Sequence, residues 1–309
     1  MTRVIDAAEH AARFKQEIRE QLAQLNEKLV LVGVLAAERG PSATYAKYAQ
    51  KACEEVGATF QIRRATRLDA ESVIRAANTD PGVHGIMVYY PVFGTERDVY
   101  LRDTVEPTKD IEGLHSFWAR CLYENRRYLD APQEVKAILP CTPLAIMKLV
   151  EAAGAFAPRG RPLEGRTAVV FNRSEVVGRP LASMLAHDGA TVYSFDIDGP
   201  LLLTPSTDPD GAHSVIETSV DRAGALARAD IVITGVPSPS FELVRAEEIR
   251  AGAVCINFST YRNFDADVQE KAGAFVPRVG PMTVTMALRN ALRLFQNTRS
   301  GATPARFVP

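Results

Sequence analysis

The chain has 309 residues, 46% hydrophobic and 24% charged, enough apolar material for roughly two globular domains. Its 36 Lys and Arg meet 37 Asp and Glu at a formal net charge of -1, which argues against a nucleic-acid or membrane-surface protein. The five histidines form no HxxxH or HExxH set, and the four cysteines (Cys53, Cys121, Cys141, Cys255) no CxxC pair. No metal site is therefore expected, and a reducing cytoplasm is the default compartment.

In chain order, the first twenty residues are charged and helical in pattern, unlike a signal peptide. Ala7, Ala11, Phe14, Ile18 and Leu22 recur at helical spacing. The nine-residue run Leu29–Ala37 is too short to span a bilayer and reads as a strand buried on both faces. Pro41-Ser42 opens a helix, Thr59–Arg63 alternates like a strand, Asp69–Asn78 like a helix, and Val83–Tyr89 is another apolar strand. That order predicts a parallel sheet. Thr142-Pro143 starts a helix over Leu144–Ala153, and a second alternating set follows a Pro/Gly/Arg-rich loop. It comprises strand Arg166–Phe171, helix Ser174–Asp188, strand Ala190–Phe195, helix Asp221–Ala229, strand Ile231–Thr234, helix Arg245–Ala251 and strand Ala253–Asn257. Asp198–Ser219, rich in Pro, Thr, Asp and Gly, is expected to be a surface excursion. Met282–Phe295 closes the chain as an apolar helix.

The segment 168–180 reads as a buried strand, a tight turn and a helix start, and such a helix end suits a pyrophosphate. Only Gly178 remains of the usual three-glycine fingerprint, so the generic signal is weak. The wording is more specific. Asn172-Arg173-Ser174-x-x-Val177-Gly178-x-Pro180 resembles the dinucleotide loop of the methylenetetrahydrofolate dehydrogenase/cyclohydrolase family. Five further stretches carry the same resemblance in the same order. These are the helix around Tyr45, Met87-Val-Tyr-Tyr-Pro-Val-Phe-Gly, Lys109-Asp-Ile-Glu-Gly-Leu, Leu139-Pro-Cys-Thr-Pro and Gly280-Pro-Met-Thr, and together they cover nearly the whole chain.

The departures from the family pattern fall at one expected site. In that family a lysine follows the tyrosine by four residues, one turn along the same helix face. Four residues after Tyr45 stands Ala49, while Lys47 and Lys51 lie about 200° around the helix from it. The family's glutamine is Tyr89 here, and its pterin-binding aspartate is Glu112. That pattern resembles the monofunctional, NAD-dependent branch known from yeast.

The resemblance implies an α/β protein of two domains. A folate-binding catalytic domain would span 1–145, rejoined by a returning helix at 284–309, and a Rossmann-like NAD domain 146–283. It implies oxidation of 5,10-methylenetetrahydrofolate, with or without a polyglutamate tail, to the methenyl compound by direct hydride transfer to NAD, without cyclohydrolase activity. A cytoplasmic homodimer in one-carbon metabolism and purine biosynthesis is the accompanying expectation. Tyr45 and Glu112 would be catalytic, with Tyr89, Pro91, Pro281 and Thr283 beside them at the substrate. Asn172, Arg173, Ser174, Val177, Gly178, Gly235, Val236 and Pro237 would hold the coenzyme.

Asp196, twenty-five residues beyond Phe171, would accept the adenosine ribose hydroxyls and repel a 2′-phosphate. Arg173 pulls the other way, because a guanidinium there could hold that phosphate. Helix capping is the bland alternative for Arg173 and Ser174, core packing for Tyr45 and Tyr89, and a solvated loop for Glu112. Competing functions are a bifunctional NADP-dependent dehydrogenase/cyclohydrolase, a folate- or nucleotide-binding regulator without turnover, and an amino-acid or shikimate dehydrogenase of similar layout. Cys141 reads as structural, and Trp118 has no assignable task.

Overall fold

The structure is a computed structural model that describes residues 2–299 except 26, 37–39 and 131. The last residue of the expected strand Leu29–Ala37, and 300–309 of the expected returning segment, lie outside the described residues. The first half runs β1 (Arg3–Val4), α1 (Ala7–Ala23), β2 (Val30–Leu35), α2 (Pro41–Val56), β3 (Thr59–Arg64), α3 (Ala70–Thr79) and β4 (Gly85–Val88). Three helices follow: α4 (Arg97–Thr104), α5 (Ser116–Tyr123) and α6 (Cys141–Ala152). Then come β5 (Thr167–Phe171), α7 (Gly178–His187), β6 (Thr191–Asp196), β7 (Gly199–Thr204), β8 (Ser214–Glu217), α8 (Arg222–Leu226) and β9 (Ile231–Thr234). The chain ends with β10 (Val254–Asn257), α9 (Val268–Lys271), β11 (Ala274–Val276) and α10 (Gly280–Arg299).

Two compact units emerge. One holds 11–121, 126–141 and the chain from Val284 onward; the other holds 1–10, 122–125 and 142–283. Helix α10 begins in the second and continues into the first. The opening residues join the second unit because β1, a two-residue strand with no sequence signal, pairs in parallel with β11.

The first unit is built on a parallel sheet ordered β3-β2-β4. Central β2 is β-branched and almost wholly buried, as a strand covered on both faces must be. Helix α2 presents Ala46, Ala49, Ala52, Cys53 and Val56 inward, each buried to 5% exposure or less, at the spacing of a helical stripe. It stops at Gly57, whose φ of 85° supplies the left-handed cap. Below the sheet, Ile74, Val83, Ile86 and Leu101 share a core with Val32 and Val34. Trp118 has a structural task after all: fully buried, it donates its indole N–H to the Pro107 carbonyl at 3.1 Å.

The second unit carries an eight-stranded sheet ordered β1-β11-β10-β9-β5-β6-β7-β8. Its first six members are parallel; β7 and β8 add antiparallel ribbons at one end. The expected surface excursion 198–219 is thus corrected to a strand pair that extends the sheet. Turn residues on either side hid it, and β8 is exposed at every position, so it shows no burial alternation. The expected helix at 245–251 is a single 3-10 turn, Ala246–Glu248. Helix α7 starts at Gly178 rather than Ser174, because the residues before it form a separate hydrogen-bonded loop.

Candidate active site

In the second unit the doubly wound order reverses at β5, which has β6 on one side and β9 on the other. Chains leaving the carboxyl ends of β5 and β9 part there, the general place for a nucleotide in an open α/β sheet. Asn172 ties the two exits together. Its Nδ2 donates to the Gly235 carbonyl at 3.0 Å, and its Oδ1 accepts from the Ser174 amide at 3.0 Å and hydroxyl at 2.7 Å. Ser174 Oγ in turn accepts from the Gly178 amide at 3.3 Å, so it does cap the start of α7. Gly178 has to be glycine: a Cβ there would sit 2.1 Å from the Asn172 carbonyl oxygen. This close approach, opening on a helix start, fits a pyrophosphate.

Gly235 lies against the Phe258 ring, where a Cβ would stand 1.8 Å from Cζ and force the ring to move. The next residue, Val236, is held by its backbone: its N–H donates to Asn263 Oδ1 at 2.9 Å, and its carbonyl accepts from Asn263 Nδ2 and Ser259 Oγ. Neither Asn263 nor Ser259 lies in a recognisable motif, and only the fold shows their task. Pro237 follows, exposed. The segment that carries Ser259 and Asn263 also lines a cavity of about 750 Å³ at the carboxyl ends of β10 and β11, where Asn257, Tyr261, Arg278 and Pro281 form part of the wall. Thr283, in the first turn of α10, is buried.

Asp196 ends β6 with its carboxylate exposed, and Oδ1 accepts from the Ile197 amide at 2.7 Å. Arg173 does not cap the helix. Its Nη2 donates to the carbonyls of Ser194 (2.6 Å) and Gly199 (2.5 Å), and Nε reaches Ser194 Oγ at 3.4 Å. Gly199 belongs to the added strand β7, so the unexpected hairpin is what holds this guanidinium. The group left for a ribose is an accepting carboxylate, not an arginine. These residues fit NAD.

In the first unit four of the expected substrate residues, Tyr45, Tyr89, Pro91 and Glu112, lie in or near the end of β4, whereas Pro281 and Thr283 belong to the second unit. Tyr45, half-buried on α2, meets the ring of Tyr89 edge-on, with centroids 6.0 Å apart. Tyr89 is 5% exposed and packs over Gly33, where a Cβ would clash with Phe60 at 2.6 Å and stand 3.0 Å from Tyr89. Its hydroxyl, like that of Tyr90, has no hydrogen-bond partner among the described residues. Tyr90 joins the exposed Pro91 through a cis peptide bond.

Glu112 is positioned from three sides. Its Oε2 accepts from the Val88 amide at 2.9 Å, its own N–H donates to Asp110 Oδ1, and its carbonyl accepts from the Cys141 amide. Asp110, buried and accepting from Glu112, Gly113 and His115 amides, is a residue the sequence reading passed over. It organises the turn that aims Glu112.

The electrostatics are one-sided. Burial, reinforced by Asp110 and opposed by the Val88 N–H, pushes the Glu112 carboxyl up to about 8. Burial, then Cys141, Glu112 and Tyr89, holds the Tyr45 phenol well above the usual tyrosine range, and burial with Glu112 and Cys53 does the same for Tyr89. Among the described residues, none of the groups acting on these three side chains is a cation. Lys47 and Lys51 are exposed, and Ala49 is buried between them. Lys109 is no substitute: its ammonium donates to the carbonyls of Ala77, Asn78 and Asp80 at the end of α3. A cluster of this kind can seat a flat, hydrogen-bonding ring and present a carboxyl group that titrates near neutrality. Among the described residues it offers no ammonium to a water molecule.

Comparison with known proteins places both regions. Residues 5–112 match the catalytic domain of tetrahydrofolate dehydrogenase/cyclohydrolase, and residues 140–299 match its NAD(P)-binding domain. A methylenetetrahydrofolate dehydrogenase [NAD(+)] of Dictyostelium discoideum is 42% identical over 297 residues, covering 95% of this chain and 94% of the relative. One from Saccharomyces cerevisiae is 41% identical over 309 residues, with 96% of each covered. The solved structure of the NAD-dependent 5,10-methylenetetrahydrofolate dehydrogenase from Saccharomyces cerevisiae matches at a TM-score of 0.90 and 40% identity, covering 98% of this chain and 99% of that one. With both domain models met in order and near-complete relatives at about two-fifths identity, the chain belongs to the tetrahydrofolate dehydrogenase/cyclohydrolase family.

Proposed function

We propose that the protein oxidises 5,10-methylenetetrahydrofolate to 5,10-methenyltetrahydrofolate with NAD, and that it does not hydrolyse the product. The observation that carries this reading is the site around Ala49: two tyrosine rings and a carboxyl group stand there, and among the described residues no cation acts on them. The 40–42% identity to relatives named as NAD-dependent supports the first half.

The chemistry explains why such a site suffices. When bound, the nicotinamide ring accepts the hydride. Folate nitrogen lone pairs stabilise the cation that develops, so the protein has no proton to remove and its task is placement. Tyr45 stacks on or hydrogen-bonds the folate, Tyr89 and Pro91 wall the pocket, and Glu112 accepts from the pterin amine and ring N–H. Pro281, on the wall of the cavity at the ends of β10 and β11, and buried Thr283 are the further residues assigned to the substrate. Asn172, Arg173, Ser174, Val177 and Gly178 shape the pyrophosphate turn, Gly235, Val236 and Pro237 the nicotinamide end, and Asp196 takes the ribose hydroxyls. Hydrolysis differs because water must be activated and a ring nitrogen protonated, which needs an acid/base group near the bridge carbon.

The capture of Arg173 by the Ser194 and Gly199 carbonyls supports NAD over NADP. A homodimer is part of the proposal. Its support is β8, an edge strand whose Val215 and Ile216 are more than half exposed. A cytoplasmic location, in one-carbon metabolism feeding purine biosynthesis, accords with four buried cysteines. Among the described residues no helix is long and apolar enough to cross a membrane.

The test supplies 5,10-methylenetetrahydrofolate with NAD or NADP and follows reduced coenzyme and the methenyl chromophore together. Persistent methenyl product with NAD is expected. Enzyme-accelerated decay would favour a bifunctional enzyme, and absence of turnover a binding protein.

A further inference from the structure

Helix α10 carries Arg289 and Arg293 one turn apart on the same face. Its register is fixed by buried Asn290, which donates to the carbonyls of Ile111 at 3.0 Å and Leu139 at 2.9 Å. The Arg289 guanidinium carbon lies 5.5 Å from the centre of the Phe14 ring, and that of Arg13 approaches the same ring at 5.5 Å. Arg293 is close enough to Arg289 and Tyr128 to feel both, and Lys136 Nζ stands 5.6 Å from the Tyr128 ring centre. Four cations therefore gather about two aromatic rings, all within the first unit. The carboxylate recorded among them is Glu17, 3.8 Å from Arg13 and mostly exposed. Arg289, Arg293 and Lys136 have no ion pair or hydrogen bond among the described residues.

A half-buried cation without a counter-charge is costly to hold. Arg293 shows that cost: burial, with repulsion from Arg289, lowers its pKa to about 10. Ring stacking steadies the two stems but neutralises nothing. Paired guanidinium forks have the shape that grips an oxyanion bidentately.

We infer that Arg289 and Arg293, with Lys136 at the rim, form a binding site for a small multiply charged oxyanion, either a phosphate or a polycarboxylate. The site owes nothing to the coenzyme loops, which lie in the other unit, nor to the residues around Glu112.

The experiment is calorimetric titration of inorganic phosphate, and separately of citrate, into NAD-saturated protein at matched ionic strength. Saturation with NAD removes the coenzyme site as a sink. Heat is expected in at least one arm, and the arm that binds identifies the source. Arg293→Met or Arg289→Gln should weaken it by about tenfold each, and Arg293→Lys should recover part of the loss. A second readout guards against misfolding: without the anion, Arg293→Met should melt no lower than the parent, because it removes an unneutralised charge. No heat in either arm would overturn the proposal, as would binding unchanged by all three substitutions. Carboxylates of a second copy filling the place would show as a melting temperature that rises with protein concentration and no anion heat, and would overturn it too.

Discussion

The coenzyme loops and the Tyr45–Glu112 pocket solve binding by opposite means. The former are backbone devices: Gly178 and Gly235 allow close approach, and buried or half-buried Asn172, Asn263 and Ser259 hold the loop amides and carbonyls. The latter is a side-chain device of two rings meeting edge-on, two phenols without a partner among the described residues and one carboxyl group displaced toward neutrality. A backbone site keeps its shape through many side-chain changes. In a side-chain site, a few replacements change the groups offered to a substrate. That is the pattern here, where Ala49, Tyr89 and Glu112 depart from the family wording while the loops retain it.

The sharpest break of this contrast is Glu112→Gln. Losing two charge-assisted hydrogen bonds should cost about 3 kcal/mol, roughly a hundredfold in kcat/KM. The pH profile adds a sign. Because burial raises the free carboxyl to about 8, ionised Glu112 becomes available as pH rises, so parent kcat/KM should climb through a midpoint near pH 8 and level off above it. The profile of kcat should be flatter, since bound pterin favours the ionised form. Glu112→Gln should abolish the climb; a climb that persists would assign it elsewhere. Next in size, Asp196→Ser should relax discrimination against NADP by about tenfold. An unchanged ratio of the two kcat/KM values would move that role to another residue.

Arg173→Ala is a finer probe of the same loop. With its guanidinium committed to Ser194 and Gly199, Arg173 should contribute nothing to residual NADP use, so the NAD/NADP ratio stays constant while the melting temperature falls. A selective loss of NADP turnover would show that the arginine swings out to the phosphate. The smallest effect belongs to Tyr89→Phe. Removing a buried hydroxyl without a partner should leave stability equal or raise it by about 1 kcal/mol, with turnover little altered. A marked loss of kcat would instead give that hydroxyl a part in the chemistry.

Much of the layout was legible because buried parallel strands are short apolar runs: β2, β5, β9 and β10 stand within a residue or two of their expected bounds. What escaped has local causes. Strand β1 has two residues, β8 has no buried face, and the turn chemistry around Pro200 and Asp208 disguises their hairpin. Missing that hairpin also hid the fate of Arg173, since its partner carbonyl comes from β7. Asp110 and Asn263 were invisible for a related reason: each acts through backbone groups distant in sequence or folded into a turn, which no spacing rule announces. The missing lysine was the opposite case, legible because the family resemblance asks for one a turn after Tyr45 and helical spacing points to Ala49.

The most direct measurement adds methenyltetrahydrofolate to increasing amounts of the protein and records the decay of its absorbance against buffer. The account predicts the uncatalysed rate at every protein concentration, in a preparation that reduces NAD with the methylene substrate. A decay rate that rises in proportion to the protein would contradict it.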